Sequence, residues 1–409
     1  MLKVRLSWAN VGNDTTPYSL DNAYINTDYT GSYRISDVLM NRLIKPENVE
    51  SWEAGIETRF FHNRLGFDAA VYTSSTTNQI VSATTDIMAG ASSIKINSGE
   101  IRNRGIELSL HLQPVQTRDF DWTLDMNWSR NWNKLVSMSD NWDNSQPLET
   151  DMGTNLRSSF YVYSYVGQPM HQIYGRGYQR APEGAYYIDE KTGEKISCAG
   201  QILVNAKDGY PVLDDSATRN IGNVNPDWTA GLTTRFRYKN LSLSASFSAQ
   251  VGGHCYSITH TSLAYQGKLS NSLEGRYGGL VVPGVNAVTQ ADGSITYTKN
   301  TTLTESVRTY YYQYKYDRVN TEENTFSTDF LKLKELRLDF SLPKAICSRT
   351  KVFRSASIGG YATNVFCITK FPQYDPETGS LNGTDIHRGV EAMAFPMTRT
   401  YGVNIKLAF

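Results

Sequence analysis

The chain ends Thr400-Tyr401-Gly402-Val403-Asn404-Ile405-Lys406-Leu407-Ala408-Phe409, an alternating run that stops on an aromatic carboxyl terminus. Successive side chains of a strand point to opposite faces, so Tyr401, Val403, Ile405, Leu407 and Phe409 form an apolar face and Thr400, Gly402, Asn404 and Lys406 a polar one. One face suits lipid and the other water, as in a transmembrane β-barrel. A soluble sandwich strand alternates too, so repetition decides. The pattern returns at Leu2, Val4, Leu6 and Trp8; at Ile106, Leu108, Leu110 and Leu112; and at Trp122, Leu124, Met126 and Trp128. It returns again at Leu241, Leu243, Ala245 and Phe247, where the interleaved Ser242, Ser244, Ser246 and Ser248 suit a wet lumen better than a packed core.

The chain has 409 residues, with 40 Lys+Arg against 40 Asp+Glu, so its formal net charge is zero. That balance lacks the basic footprint of a nucleic-acid binder. No run of apolar residues is long enough for a transmembrane helix, a test that barrels evade. The 26 tyrosines, 7 tryptophans and 15 phenylalanines supply rings that settle at membrane interfaces, or that simply favour strands. Cys198, Cys255, Cys347 and Cys367 stand far apart and match no zinc or redox spacing. Met1-Leu2-Lys3-Val4-Arg5 already lies in a strand pattern and shows no signal-peptide n- or h-region. The expectation is a carboxy-terminal piece of something longer.

Strands are expected near residues 2–9, 52–61, 65–74, 104–113, 121–132, 228–238, 241–250, 330–342, 352–362 and 399–409. Each approaches the roughly 9 to 11 residues that cross a bilayer at a tilt. Short and long connections alternate, matching periplasmic turns and extracellular loops. The longest, about 133–227 and 251–329, are expected to carry small sheets of their own. Leu331 and Leu333 are out of phase with Leu336, Leu338 and Phe340. Either a β-bulge between Lys334 and Leu336 or an end to enforced alternation explains the shift.

Several segments resemble landmarks of the SusC/RagA family of TonB-linked outer-membrane proteins. Leu43-Ile44-Lys45-Pro46-Glu47 before Trp52-Glu53-Ala54-Gly55-Ile56-Glu57 is similar to its "L-x-P-E…E-x-G" strand, and Asn63-Arg64-Leu65 to its "N-R-L" turn. Asn97-Ser98-Gly99-Glu100-Ile101-Arg102-Asn103-Arg104-Gly105-Ile106-Glu107 resembles "N-x-G-x-x-x-N-x-G-x-E", the most specific match. Ile221-Gly222 with Pro226 and Trp228 resembles "I-G-x-x-x-P-x-W", and Phe330-Leu331-Lys332-Leu333-Lys334 resembles "F-x-R-L-R". Thr363-Asn364-Val365-Phe366 with Asp375-Pro376-Glu377 is similar to "Q-N-L-F…D-P-E", with Thr363 in place of Gln.

The resemblance implies an antiparallel transmembrane β-barrel of about 22 strands with a plugged lumen. Residues 1–409 would supply the last ten or so strands, and the plug and amino-terminal regulatory domain would lie outside this chain. It further implies outer-membrane, TonB-dependent import of oligosaccharides or peptides, with a SusD-like surface lipoprotein and the TonB energy-transducing complex as partners. The alternating residues Tyr401, Val403, Ile405, Leu407 and Phe409 would be read by the barrel-assembly machinery, or would simply complete the lipid face.

No HExxH, GxSxG or P-loop pattern occurs, and no cofactor is expected. His254, Cys255 and His260 are more readily ordinary loop residues than metal ligands, and Val204 and Ala206 spoil a calcium loop at Asn205–Asp215. Candidate substrate contacts are Trp142 and the cluster Tyr310, Tyr311 and Tyr312, placed near the top of a strand. Their rings would stack on cargo or form an interfacial girdle. Two other classes stay open: a self-contained porin or adhesin, and a secreted all-β glycan-acting enzyme, for which no carboxylate pair stands out.

Overall fold

The computed structural model describes every residue except 16, 18, 19, 87, 89, 139–142, 150–159, 217, 218, 351, 378, 379, 383, 384 and 388. Ten long strands form one antiparallel sheet: β1 (Leu2–Asn13), β2 (Glu47–Phe60), β3 (Leu65–Thr77), β4 (Glu100–Gln116), β5 (Phe120–Ser137), β6 (Pro226–Tyr238), β7 (Leu241–Gly252), β8 (Phe330–Ser341), β9 (Ser355–Thr369) and β10 (Thr400–Ala408). Each pairs with its neighbours in sequence, so the sheet order is the chain order. All ten expected strands are present, and most run longer than the alternation alone marks.

Register makes the two faces continuous. Phe67, Leu110, Met126, Leu232, Phe247 and Leu333 are successive partners across six strands and form one apolar row. The neighbouring row, Glu57, Asp68, Ser109, Asn127, Gly231, Ser248 and Lys332, is polar. A one-residue slip in any strand would exchange the two faces, so burial of the apolar face in lipid fixes the register. Val4, Leu6, Val403 and Ile405 are 65 to 74 % exposed. A band of this extent in water would be an aggregation surface, whereas acyl chains complete it.

The polar face is laced with ion pairs. Arg5 donates two 2.7 Å bonds to Asp68 and one of 3.3 Å to Glu53, and His111 Nδ1 lies 2.6 Å from Asp125. The phase shift in β8 is a bulge. Leu333 opposes Phe247 and Glu335 opposes Ser246, leaving Lys334 without a rung. Leu331, Leu333, Leu336 and Leu338 therefore all join the apolar face. On the other side of β8 the ladder skips Asn364 and Val365, and Asn364 takes the left-handed φ of 51° that asparagine tolerates.

Connections at one end of the sheet are the tight turns 61–64, 117–119 and 239–240 and a segment carrying a short helix, Lys344–Thr350. Arg64 of the "N-R-L" turn reaches across to the Gln113 and Pro114 carbonyls, at 3.2 and 3.0 Å, and ties two hairpins together. The long connections gather at the opposite end.

Candidate functional site

Three of the long connections, 138–225, 253–329 and 370–399, fold together as a cap. A four-stranded sheet of Leu148–Glu149, Tyr161–Ser164, Gln172–Gly175 and Arg219–Asn223 belongs to the first. A three-stranded sheet joins Thr325–Ser327 and His254–Ser257 of the second to Val390–Glu391 of the third. The expected small sheets are therefore present. They interlock between loops, which sequence order did not foreshadow.

The three-stranded junction seals a carboxyl group from water. Glu391 is fully buried and accepts bonds from Ser257 Oγ at 2.6 Å and from Thr259 Oγ1. Ser257 also caps the helix α1 (Ile258–Tyr265) by accepting from the His260 N–H at 3.0 Å. His260 lies 3.2 Å from Asn324 Oδ1 and packs edge-on against Phe326 and Tyr316, and burial holds its imidazole below the usual value. Burial likewise pushes the Cys255 thiol up to about 12. Among the described residues no three His, Cys, Asp or Glu side chains converge as a metal site.

A second junction is ionic. Glu322 accepts from Arg219 at 2.9 Å, from the Tyr178 N–H at 3.0 Å and from Arg180, while Arg219 also meets Asp214 at 3.1 Å. Its neighbour Glu323 lies among Tyr178, Tyr310 and Tyr316, and burial raises its carboxyl above the ordinary value of 4.5.

The tyrosine cluster, expected near the top of a strand within the 251–329 connection, stands on a helical turn. Val307–Thr309 is helical and Tyr310–Lys315 continues it as a π-turn, with Ser306 capping the start by accepting from the Thr309 N–H at 3.2 Å. Three consecutive rings cannot share one face of a pleated strand, and a helical turn fans them out. Tyr310 and Tyr311 are buried with Tyr316, Val204, Tyr210, Ala264 and Val282 in the cap's main core. Tyr312 is half-buried and packs against Tyr265 of α1, the ring centroids 4.2 Å apart and the planes tilted by 32°. Beside that pair lies a cavity of about 430 Å³ lined also by Arg276, Thr304, Glu305 and Arg308. Trp142 lies outside the described residues. Tyr401, Val403, Ile405, Leu407 and Phe409 all stand exposed, four on the open face of β10 and Phe409 5.2 Å from the Phe353 ring.

Several landmark residues turn out to hold one another. Asn97 accepts from the Lys45 N–H at 2.8 Å and donates to the Lys45 and Asn78 carbonyls at 2.8 and 2.7 Å, joining "L-x-P-E" to "N-x-G". At Gly99 a Cβ would lie 2.3 Å from the Ser137 carbonyl oxygen, so only glycine fits. Asn223 and Asn225 both donate to the Met170 carbonyl, at 3.2 and 3.1 Å. Lys332 of "F-L-K-L-K" meets Asp375 and Glu377 of "D-P-E". None of these contacts is local, so spacing carried no sign of them.

A ten-stranded antiparallel sheet with a lipid-facing apolar band, tight turns at one end and folded loops at the other defines an outer-membrane β-barrel protein. The family model for the TonB dependent receptor-like β-barrel matches residues 2–308, and the chain belongs to that family. It is 25 % identical to TonB-dependent receptor P3 of Formosa agariphila and 23 % identical to TonB-dependent receptor SusC of Bacteroides thetaiotaomicron, in each case over the whole chain. It spans 39 % and 37 % of those relatives. The structure of the RagAB peptide transporter contains a chain of the same fold, with TM-score 0.69 and 21 % identity, covering all of this chain and 41 % of that one. The protein's place is the outer membrane.

Proposed function

We propose that these 409 residues are the carboxy-terminal barrel part of a TonB-dependent importer of oligosaccharides or peptides. The observation that carries this reading is the folded cap, whose loops interlock through buried contacts above a polar-faced sheet. A passive channel has no need of such a structure. The cap would meet the cargo, and the polar face would line its route inward. Plug, regulatory domain and TonB contact would be supplied by sequence beyond this chain, as the greater length of the relatives suggests. A SusD-like surface lipoprotein would sit on the cap.

Within this reading Tyr312 touches cargo, while the buried Tyr310 and Tyr311 hold it in place. Trp142 is a further candidate contact. Tyr401, Val403, Ile405, Leu407 and Phe409 would present the terminal strand to the barrel-assembly machinery. No catalytic step is assigned to any residue.

The test is uptake in the source cell. Deleting the gene should abolish accumulation of one labelled class of oligosaccharide or peptide, and dissipating the proton-motive force should do the same in the wild type. Unchanged uptake of every glycan and peptide tried would sink the proposal.

A further inference from the structure

The cavity beside Tyr265 and Tyr312 carries two arginines with no carboxylate partner among the described residues. Arg276 is held before any ligand arrives: Nε donates to the Ser272 carbonyl at 2.8 Å, and Nη2 to Ser272 Oγ at 2.8 Å and to the Gly267 carbonyl at 3.2 Å. Its Nη1 has no partner among the described residues. The exposed Arg308 lines the same cavity, its guanidinium carbon 6.0 Å from the Tyr312 ring centre. Thr304, only 7 % exposed, lines the same space, and its Oγ1 has no partner among the described residues. A buried hydroxyl left unpaired costs about 1 to 3 kcal/mol, which a bound hydroxyl or carboxylate would relieve.

We infer that this cavity binds a uronate residue of an acidic oligosaccharide. Arg276 and Arg308 take the carboxylate, since planar guanidinium groups match it in shape and charge. The hydrogen-bonded Tyr265–Tyr312 pair offers an aromatic surface to the C–H face of the ring. Thr304 and Glu305 meet sugar hydroxyls. The volume of about 430 Å³ falls within the range of small-ligand sites and holds one or two sugar units. A peptide terminus would also offer a carboxylate, and Ala264 and Val307 add apolar surface to the wall, so the tripeptide is the competing ligand in the titration; the unpartnered Thr304 hydroxyl and the aromatic pair favour the hydroxyl-rich sugar ring.

The biological role of the site rests on the import reading, whereas binding itself does not. Calorimetric titration of the full chain in detergent micelles with trigalacturonate should show saturable binding. The neutral galactose trimer should bind at least tenfold more weakly. Arg308→Gln, an exposed change that removes no bond of the fold, and Tyr312→Ala should each lower affinity tenfold or more. Equal binding of the neutral trimer, no loss in Arg308→Gln, or binding of a tripeptide in place of the uronate would overturn the assignment. Uronate binding combined with unchanged uptake in the deletion strain would sink the import reading alone. Intact glycan uptake with no uronate binding would sink this site alone.

Discussion

Lys332 Nζ donates to Glu377 Oε2 at 2.6 Å and also to Asp375, from a side chain only 5 % exposed. The pair joins the polar face of β8 to the 370–399 loop. Lys334, the bulged residue two positions on, reaches the other oxygen of Glu377 at 3.1 Å. The bulge turns two lysines of one strand toward a single acidic corner, and the corner anchors the loop whose far end is pinned by the buried Glu391.

Removing one partner of a buried pair leaves the other charge uncompensated, at about 3 to 5 kcal/mol. Lys332→Ala should therefore destabilise the protein by about 3 kcal/mol and expose the 370–399 loop to protease. Lys334→Ala, on a half-exposed pair, should cost under about 1 kcal/mol. Limited proteolysis with thermal unfolding of both variants checks the contrast. Equal behaviour would contradict it.

Gly99 has no room for a side chain. A Cβ there would press on backbone, which gives way less readily than a side chain. Gly99→Ala should cost about 1 to 3 kcal/mol as an overpacking strain. Gly360→Ala, where the nearest atom is 4.0 Å away, should be close to neutral. Chemical unfolding of the two variants in parallel decides the point.

Val403 opposes Gly360 on the apolar face and is 71 % exposed to the space that lipid fills. Val403→Arg should cost about 2 to 4 kcal/mol at mid-bilayer. Ser246→Arg on the polar face, opposite Glu335, should cost far less. A folding titration into vesicles measures both, and a neutral Val403→Arg would remove the lipid-facing assignment.

Glu323 couples the cap to pH. Its carboxyl is raised by burial, against which Lys315 and Arg180 pull down and Glu322 pushes up. The folded state therefore binds this proton more tightly than the unfolded chain does. Its contribution is fully present below the ordinary value of 4.5 and is lost as pH climbs through the raised value. Glu323→Gln keeps an acceptor for Tyr178 without a charge, so it should raise the melting temperature at pH 8 and leave it nearly unchanged at pH 4. His260, depressed by burial, acts in the opposite direction in both proteins and cancels in the comparison. A lower melting temperature for Glu323→Gln at pH 8 would refute this.

The ten barrel strands were legible because lipid on one side and water on the other impose a period of two that no other arrangement sustains for so long. The bulge at Lys334 was visible as a phase shift, though only the ladder separated it from simple loss of enforcement. The tyrosine run was legible as a cluster in a long connection, but not as a helical turn. Composition marked Tyr310, Tyr311 and Tyr312 as an aromatic cluster, but nothing local said that Tyr310 and Tyr311 would be buried in a loop core and that Tyr311 and Tyr312 would border a cavity. Arg276, Thr304 and Arg308 gave no signal at all.

What the sequence determined by itself was the sheet: its strand number, its two faces and its order of short and long connections, each of which follows from nearest-neighbour alternation and chain order, while the family was legible only through the resemblance of its motif segments. The tertiary structure alone decided the cap, because its contacts join residues far apart in the chain, such as Glu391 to Ser257, Glu322 to Arg219 and Lys332 to Glu377. Ion pairs and aromatic packing form wherever charge and shape meet in space, and they leave no period along the chain.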